Sequence, residues 1–439
     1  MIRIASFLLS STSPIRDITM FSWNQCWIVS LIGLFAGAAV NCGIYNLAWT
    51  KKQISPWGKL PQTISKRPLL ARIPVIGWWS LRSEAALHGN KFWLRPACIE
   101  LGTAAVFALF YYQHTELMES ISLAPNMSSN LLWLQLIPHL ILVVLLITAT
   151  FIDLDERLIP DTITVTGTLI ALGIAAVFPE SRLIDLGNTL SDIIFLEPAS
   201  PNEQTGLKSP ASLLGASGCL LFWGFAIVPK ITTARYGLAK GIQVMVASMI
   251  RPGRKSRKPD TPRKRKPFVS TLVIAVSMVI GLIGIFLCWR SGAVHWASLN
   301  NAIWGMTGGL LVVWGVRIVA RFALQREAMG FGDVTLLAMI GAFLGWQAAL
   351  LTFVLAPFAG LLFSIAQYIS TRKNDLAFGP YLSLSAIIVI LGWPIIWTSY
   401  ARNTIFIHGS ELPIVLLIGL AAMGALLFVW QKIKNSAAS

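Results

Sequence analysis

Charge is scarce in this chain. Asp, Glu, Lys and Arg make up 12% of its 439 residues, against 55% hydrophobic, and the mean hydropathy is +0.68. That shortage excludes an ordinary soluble domain, in which about a quarter of residues are charged. Cysteine is sparse too: Cys26, Cys42, Cys98, Cys219 and Cys288 are scattered and form no CxxC pair. A disulfide framework and a cysteine zinc site are therefore not indicated. There is no HExxH and no Ser- or Cys-centred constellation. Acids are fewer than bases, 19 against 35, giving a net charge of +16. The bases lie between apolar runs rather than among aromatics, which fits positive-inside loops and argues against nucleic acid as a partner. No repeat of fixed period is visible. No cleavable signal peptide is read either; the stretch 4–9 is too short, and the first long span serves as the insertion signal.

What the chain does have is long apolar runs, and about 20 such residues cross the hydrocarbon as a helix. Spans are read near 27–48, 97–113, 132–152, 162–178, 211–229, 268–289, 302–320, 334–347, 349–370, 381–399 and 412–431. The expected fold class is all-α, a polytopic transmembrane helical bundle of about 9–11 spans. Loop charges orient it. Segment 49–96 carries Lys51, Lys52, Lys59, Lys66, Arg67, Arg72, Arg82, Lys91 and Arg95 against the single acid Glu84, and is read as cytoplasmic. Counting spans puts 114–131 (Glu116, Glu119) and the acid-rich 179–210 outside. The basic 230–267, Arg372-Lys373, Lys432 and Lys434 then fall inside. The run 251–267, rich in Pro, Lys and Arg, is read as a disordered loop that attracts anionic lipids. The expected location is the inner (cytoplasmic) membrane.

Against this background two acidic motifs stand out, Asp153-Leu-Asp-Glu-Arg-Leu-Ile-Pro-Asp161 and Gly330-Phe-Gly-Asp333. A carboxylate at a membrane boundary is costly and is by default a functional-site candidate. Each also has a plainer reading. Asp153, with Asp155, Glu156 and Arg157 beside it, could be an interfacial stop signal, and Asp161 and Asp333 could cap the helices they precede. The glycines Gly330 and Gly332 add to the second motif, since they permit tight backbone and close approach of an extended peptide. By the span count both motifs face the cytoplasm.

Two carboxylates brought close cannot both ionise cheaply, so one keeps its proton. The ionised partner can take a proton from water, while the protonated one polarises a peptide carbonyl and later protonates the leaving amine. Such chemistry needs neither metal nor covalent nucleophile. The histidines His88, His114, His139, His295 and His408 lie apart in sequence and read as structural or interfacial.

These motifs resemble those of the type IV prepilin peptidase family, membrane aspartic proteases with a GxGD motif. The similarity extends along Met329-Gly-Phe-Gly-Asp-Val-Thr-Leu-Leu-Ala-Met-Ile-Gly-Ala-Phe-Leu-Gly345 and Leu376-Ala-Phe-Gly-Pro-Tyr-Leu382. It continues in the first helix 33–46 with Asn41, and in 72–82 and 95–101. The resemblance implies cleavage, on the cytoplasmic side and after a glycine, of the basic leader of type IV prepilins and type II secretion pseudopilins. Many members also N-methylate the new terminus with S-adenosylmethionine. Carried over by motif, Asp153 and Asp333 would be the catalytic pair; Gly330, Gly332, Asp161, Asp155 and Glu156 are read as supporting residues from their own chemistry. Asp155 and Glu156 are expected to attract the leader's positive charge.

By this resemblance 27–178 is the N-terminal part of the peptidase, with loop 49–96. Residues 179–300 are an insertion with two spans and the basic loop, 301–400 the part bearing GxGD, and 401–439 an extra span. Loop 49–96 lacks the paired cysteines that are thought to bind zinc in many members. No cofactor is then expected for proteolysis, zinc is not expected, and S-adenosylmethionine enters only if methylation is retained. The alternatives left open are a proton-coupled transporter and an inactive scaffold relative in pilus or secretion assembly. The oligomeric state is also open.

Overall fold

Inside a bilayer a single helix satisfies all its own backbone groups, so an apolar chain is driven to helix. The computed structural model describes residues 22–49, 54, 56, 67, 69–89, 91–121, 130–186, 193–195, 209–227, 271–325, 329–371, 377–402, 404 and 411–438. The basic run 251–267 and Arg372-Lys373 lie outside them. In chain order the elements begin with α1 (Trp23–Leu47), a 3-10 turn (Leu69–Arg72), α2 (Ile76–Ser80), a second 3-10 turn (Leu81–Glu84), α3 (Ala85–His88) and α4 (Leu94–Ile121). Next come α5 (Leu131–Glu156), α6 (Asp161–Val177), β1 (Ile184–Leu186), β2 (Ile193–Phe195), α7 (Pro210–Ile227) and α8 (Thr271–Ser291). The chain continues through α9 (Ala293–Leu324), α10 (Phe331–Leu344), α11 (Trp346–Thr371), α12 (Gly379–Leu391), α13 (Trp393–Ile396) and α14 (Leu412–Ala438).

Among the described residues α1, α5, α7 and α9 are each long and apolar enough to cross a membrane, as is Leu94–Met118 of α4. A sixth crossing is available if α12 and the turn Trp393–Ala401, bent by 79° at Gly392, count as one. The polytopic helical bundle read from the sequence is what the chain forms. Three details differ. The loop 179–210 contains an antiparallel ribbon, with Ile184 opposite Phe195. Helix α9 has 32 residues and extends well before the span read at 302–320. Its first turns bury Trp296, Asn300 and Asn301, and the two amides lower the hydropathy there without breaking the helix. Helix α5 runs on through Glu156, so Asp153 lies within its last turn rather than after it.

Small residues set the closest helix contacts, as expected where lipid supplies no hydrophobic drive between helices. On α1, Gly33 and Gly37 face α4, where an added Cβ would stand 2.8 Å from Ala104 Cα and 2.6 Å from Glu100 Cα. The opposite face, with Leu31, Ile32 and Phe35, is exposed and apolar. Helices α9 and α10 approach closer still: a Cβ on Gly341 would lie 2.1 Å from the Gly305 carbonyl oxygen.

Helix α10 is the centre of the bundle, and every residue from Asp333 to Leu344 is buried. Its 14 residues extend only about 21 Å, less than the hydrocarbon thickness of about 30 Å. Both its ends therefore need polar partners inside the protein. At the C-terminal end the partner is Arg182, 1% exposed. Its guanidinium donates to the carbonyls of Ala342 and Phe343 at 3.2 Å each and to Ser298 Oγ at 3.2 Å. Burial pulls this group down to about 9, so it is still a cation at neutral pH, placed at a helix C-terminus where a cation is favoured.

Replacing Arg182 with Met should leave two helix-terminal carbonyls unpaired. The expected cost is about 2–3 kcal/mol, the value of hydrogen bonds to a charged group. It would be read as a lower melting midpoint in detergent; an unchanged midpoint would contradict the capping role.

Candidate active site

The end of the bundle opposite Arg182 brings the two acidic motifs together. Helix α5 stops because Arg157 turns left-handed, φ 52°, with its N–H donating to the Asp153 carbonyl at 2.8 Å. Pro160 then forbids continuation and holds the chain extended before α6. Asp153 is thus fixed on the last turn of a long helix, 5% exposed. Asp333 is 7% exposed. The N-cap of α10 is Gly330, not Asp333. Asp333 stands at the third helical position, where its carboxyl accepts the Gly330 N–H. This is the reach-back half of a capping box.

Asp153 also meets a helix N-terminus. Gly379, the first residue of α12, donates its N–H to Asp153 Oδ2 at 3.2 Å. The N-terminal ends of α10 and α12 therefore both present free N–H groups and positive dipole ends at the acids. The carboxyls lie close enough for the charge of Asp153 to act on Asp333, as does the positive charge of Arg317 from α9.

What joins these termini is Ile159, buried between them. A Cβ on Gly332 would lie 2.8 Å from Ile159 Cβ. A Cβ on Gly379 would lie 2.9 Å from Ile159 Cδ1 and 2.6 Å from Asp153 Oδ2. At Gly332 the obstacle is the Cβ and backbone of Ile159, which cannot give way; at Gly379 it is the ends of two side chains. Gly330 is different: its φ is −68° and the nearest atom to an added Cβ is Asp333 Oδ2 at 3.6 Å.

The other candidates take distinct places. Asp161 is the first residue of α6, exposed, with Pro160 as N-cap and no side-chain capping bond. The cap expected of Asp161 is therefore not made, because Pro160 already holds the extended N-cap conformation. Asp155 pairs with Arg95 of α4 at 2.7 Å, and Glu156 accepts the Trp49 N–H. These two acids fasten both ends of segment 49–96 to the helix that carries Asp153.

Sequence reasoning missed Ile159, Gly379 and Arg317 as parts of this end of the bundle. Gly379 lay within the Phe378-Gly-Pro segment and Ile159 within the first acidic motif, while Arg317 carried no signal. The histidines read as lying apart include a buried contact pair, His114 Nε2 to His139 Nδ1 at 2.8 Å, between α4 and α5.

Comparison with known proteins gives the resemblance an independent footing. A model of the type IV leader peptidase family matches residues 269–365. That stretch contains Gly330, Gly332 and Asp333 but not Asp153. The chain is 33% identical over 129 residues to the prepilin leader peptidase/N-methyltransferase of Stutzerimonas stutzeri, covering 29% of this chain and 44% of that protein. It is 32% identical over 123 residues to the protein of the same name from Pectobacterium carotovorum subsp. carotovorum, with 27% and 43% covered. With that of Escherichia coli (strain K12) it shares 34% identity over 105 residues, with 24% and 46% covered. The chain thus spans less than half the length of these curated relatives. No solved structure matches. With the apolar helices above, these similarities make the chain a multi-pass membrane protein.

Gly332→Ala should press on the Cβ and backbone of Ile159 and destabilise the protein by about 1–3 kcal/mol, as overpacking does. Gly330→Ala should leave stability unchanged. Melting of the two variants side by side checks this; equal midpoints would contradict the steric reading.

Proposed function

We propose that this protein is a membrane aspartic endopeptidase that removes the basic leader from type IV prepilin or type II secretion pseudopilin-like substrates. The observation that carries the reading is the pairing of Asp153 and Asp333. These scarce acids lie 180 positions apart in sequence, yet both are buried at one end of the bundle among helix N-termini. The names of the relatives support the substrate class. The basic loops support a cytoplasmic placement for that end.

The chemistry follows from the pair. One carboxyl is ionised and takes a proton from a water molecule as its oxygen bonds to the scissile carbonyl carbon. The other, still protonated, donates to the carbonyl oxygen. Collapse of the tetrahedral intermediate breaks the C–N bond, and the amine leaves with a proton from the pair. Two helix N-termini favour the anionic member, and Arg317 adds a fixed positive charge on the Asp333 side. Close packing of Gly332 and Gly379 on Ile159 holds the two helix ends in fixed relation, so little reorganisation accompanies the reaction.

Methylation of the new N-terminus is the second activity in the relatives' names. It would draw its methyl group from S-adenosylmethionine. Proteolysis by this pair calls for no cofactor.

Co-expression with a prepilin and mass spectrometry of the product tests the proposal. Wild type should remove the leader. Asp153→Asn and Asp333→Asn, at matched membrane levels, should each slow removal by at least about 100-fold, the usual contribution of a general acid or base. A methyl mass increment on the product would show the second activity. Equal leader loss in all three proteins would exclude the two acids as catalysts. Its absence from wild type, across several prepilins, would overturn the substrate assignment.

A further inference from the structure

Residues 69–89 form a short cap beside the acidic end, and the cap has two faces. One face is docked on the bundle, with Ala71, Trp78 and Leu81 each 2% exposed. The Trp78 indole N–H and the Val75 N–H donate to the Glu100 carboxyl of α4 at 2.7 and 2.6 Å, and Asn41 of α1 donates to it at 3.0 Å. Val75 is held at φ 62°, an unusual conformation for a β-branched residue, so the docking geometry is closely determined. Glu100 lies six residues inside α4 from Leu94, about 9 Å along the helix. The cap therefore reaches below the end of a membrane-crossing helix rather than standing above it.

The other face is apolar and exposed. Leu70, Ile73, Ile76 and Trp79 recur at every third position and are between 46% and 58% exposed. They alternate with Ala71, Trp78 and Leu81, which turn the other way into the bundle. Arg82 follows, its guanidinium 3.1 Å from the Trp79 ring centroid and 4.4 Å from that of Trp93. Arg72 and Lys91 are exposed beside it. A row of large apolar side chains, flanked by bases and ending in an aromatic–arginine cluster at the depth of a helix terminus, matches one partner well. That partner is the headgroup–acyl boundary of an anionic leaflet.

We infer that residues 69–89 lie in the plane of the bilayer interface. Leu70, Ile73, Ile76 and Trp79 enter the acyl boundary, and Arg72, Arg82 and Lys91 meet anionic headgroups. The cap's charge is complementary to anionic lipid. Because Glu100 ties the cap to α1 and α4, and Arg95–Asp155 ties α4 to α5, this contact would fix the height of Asp153 relative to the headgroups. The inference rests on the membrane placement of the chain and not on the proposed peptidase activity.

Spin labels test it, placed singly by Ile73→Cys, Ile76→Cys and Trp79→Cys in the full chain with its native cysteines replaced. The protein is held in nanodiscs of phosphatidylcholine with and without phosphatidylglycerol. Accessibility to oxygen is then compared with accessibility to a water-soluble nickel chelate. A label at Leu31, on the lipid-facing side of α1, reports that each sample is folded. All three cap labels should favour oxygen. The preference should grow with phosphatidylglycerol, and Arg82→Gln should reduce that growth. Preference for the nickel chelate would show a cap standing in water. Shielding from both reagents would show a cover of protein, such as a second copy. Either result overturns the inference.

Discussion

The acidic end of this protein depends on one steric constraint, the closure of two helix N-termini on the side chain of Ile159. Gly332 and Gly379 make that closure possible, since a Cβ on either would stand within 3 Å of the isoleucine. With both glycines in place, α10 delivers Asp333 and α12 delivers a backbone N–H to Asp153. The loop between α5 and α6 is clamped between them. Burying two acids in an apolar bundle is otherwise expensive. Here it is offset in part by backbone donors from Gly330 and Gly379, by two positive helix ends and by Arg317.

The same logic runs through the whole length of α10. A helix of 14 residues is too short to bring both ends to water, so each end is served from within. Arg182 pairs with the last carbonyls, and the acidic cluster occupies the first turn. Glycine contacts with α9 lock the helix between these two polar ends. Positioning Asp333 is therefore a property of the bundle and not of the short motif alone.

Much of this is legible in the sequence, for a physical reason. In a chain with so little charge, the cost of each acid makes its placement informative, and Asp153 and Asp333 stand out by position alone. The helical class follows from the apolar runs. Steric roles are not legible. Ile159 lies within the first acidic motif, but its partners Gly332 and Gly379 lie far along the chain and nothing local pairs them with it. Arg182 sits in a loop that its neighbours mark as solvent-facing, although the fold buries it. Asp155 and Glu156 look like open attractors for a basic peptide, but their bonds to Arg95 and the Trp49 backbone depend on a loop docking that local pattern does not reveal. Asp161 precedes an apolar span as a cap would, yet Pro160 takes that position.

The central claim is that Asp153 and Asp333 occupy one site. Replacing both with cysteine, in a chain whose native cysteines have been removed, allows a direct test in intact membranes with a short bifunctional thiol reagent. The account predicts a covalent link between the peptide from the end of α5 and the peptide from the start of α10, found by mass spectrometry after proteolysis. Complete labelling of each cysteine on its own, with no linked peptide, would contradict it.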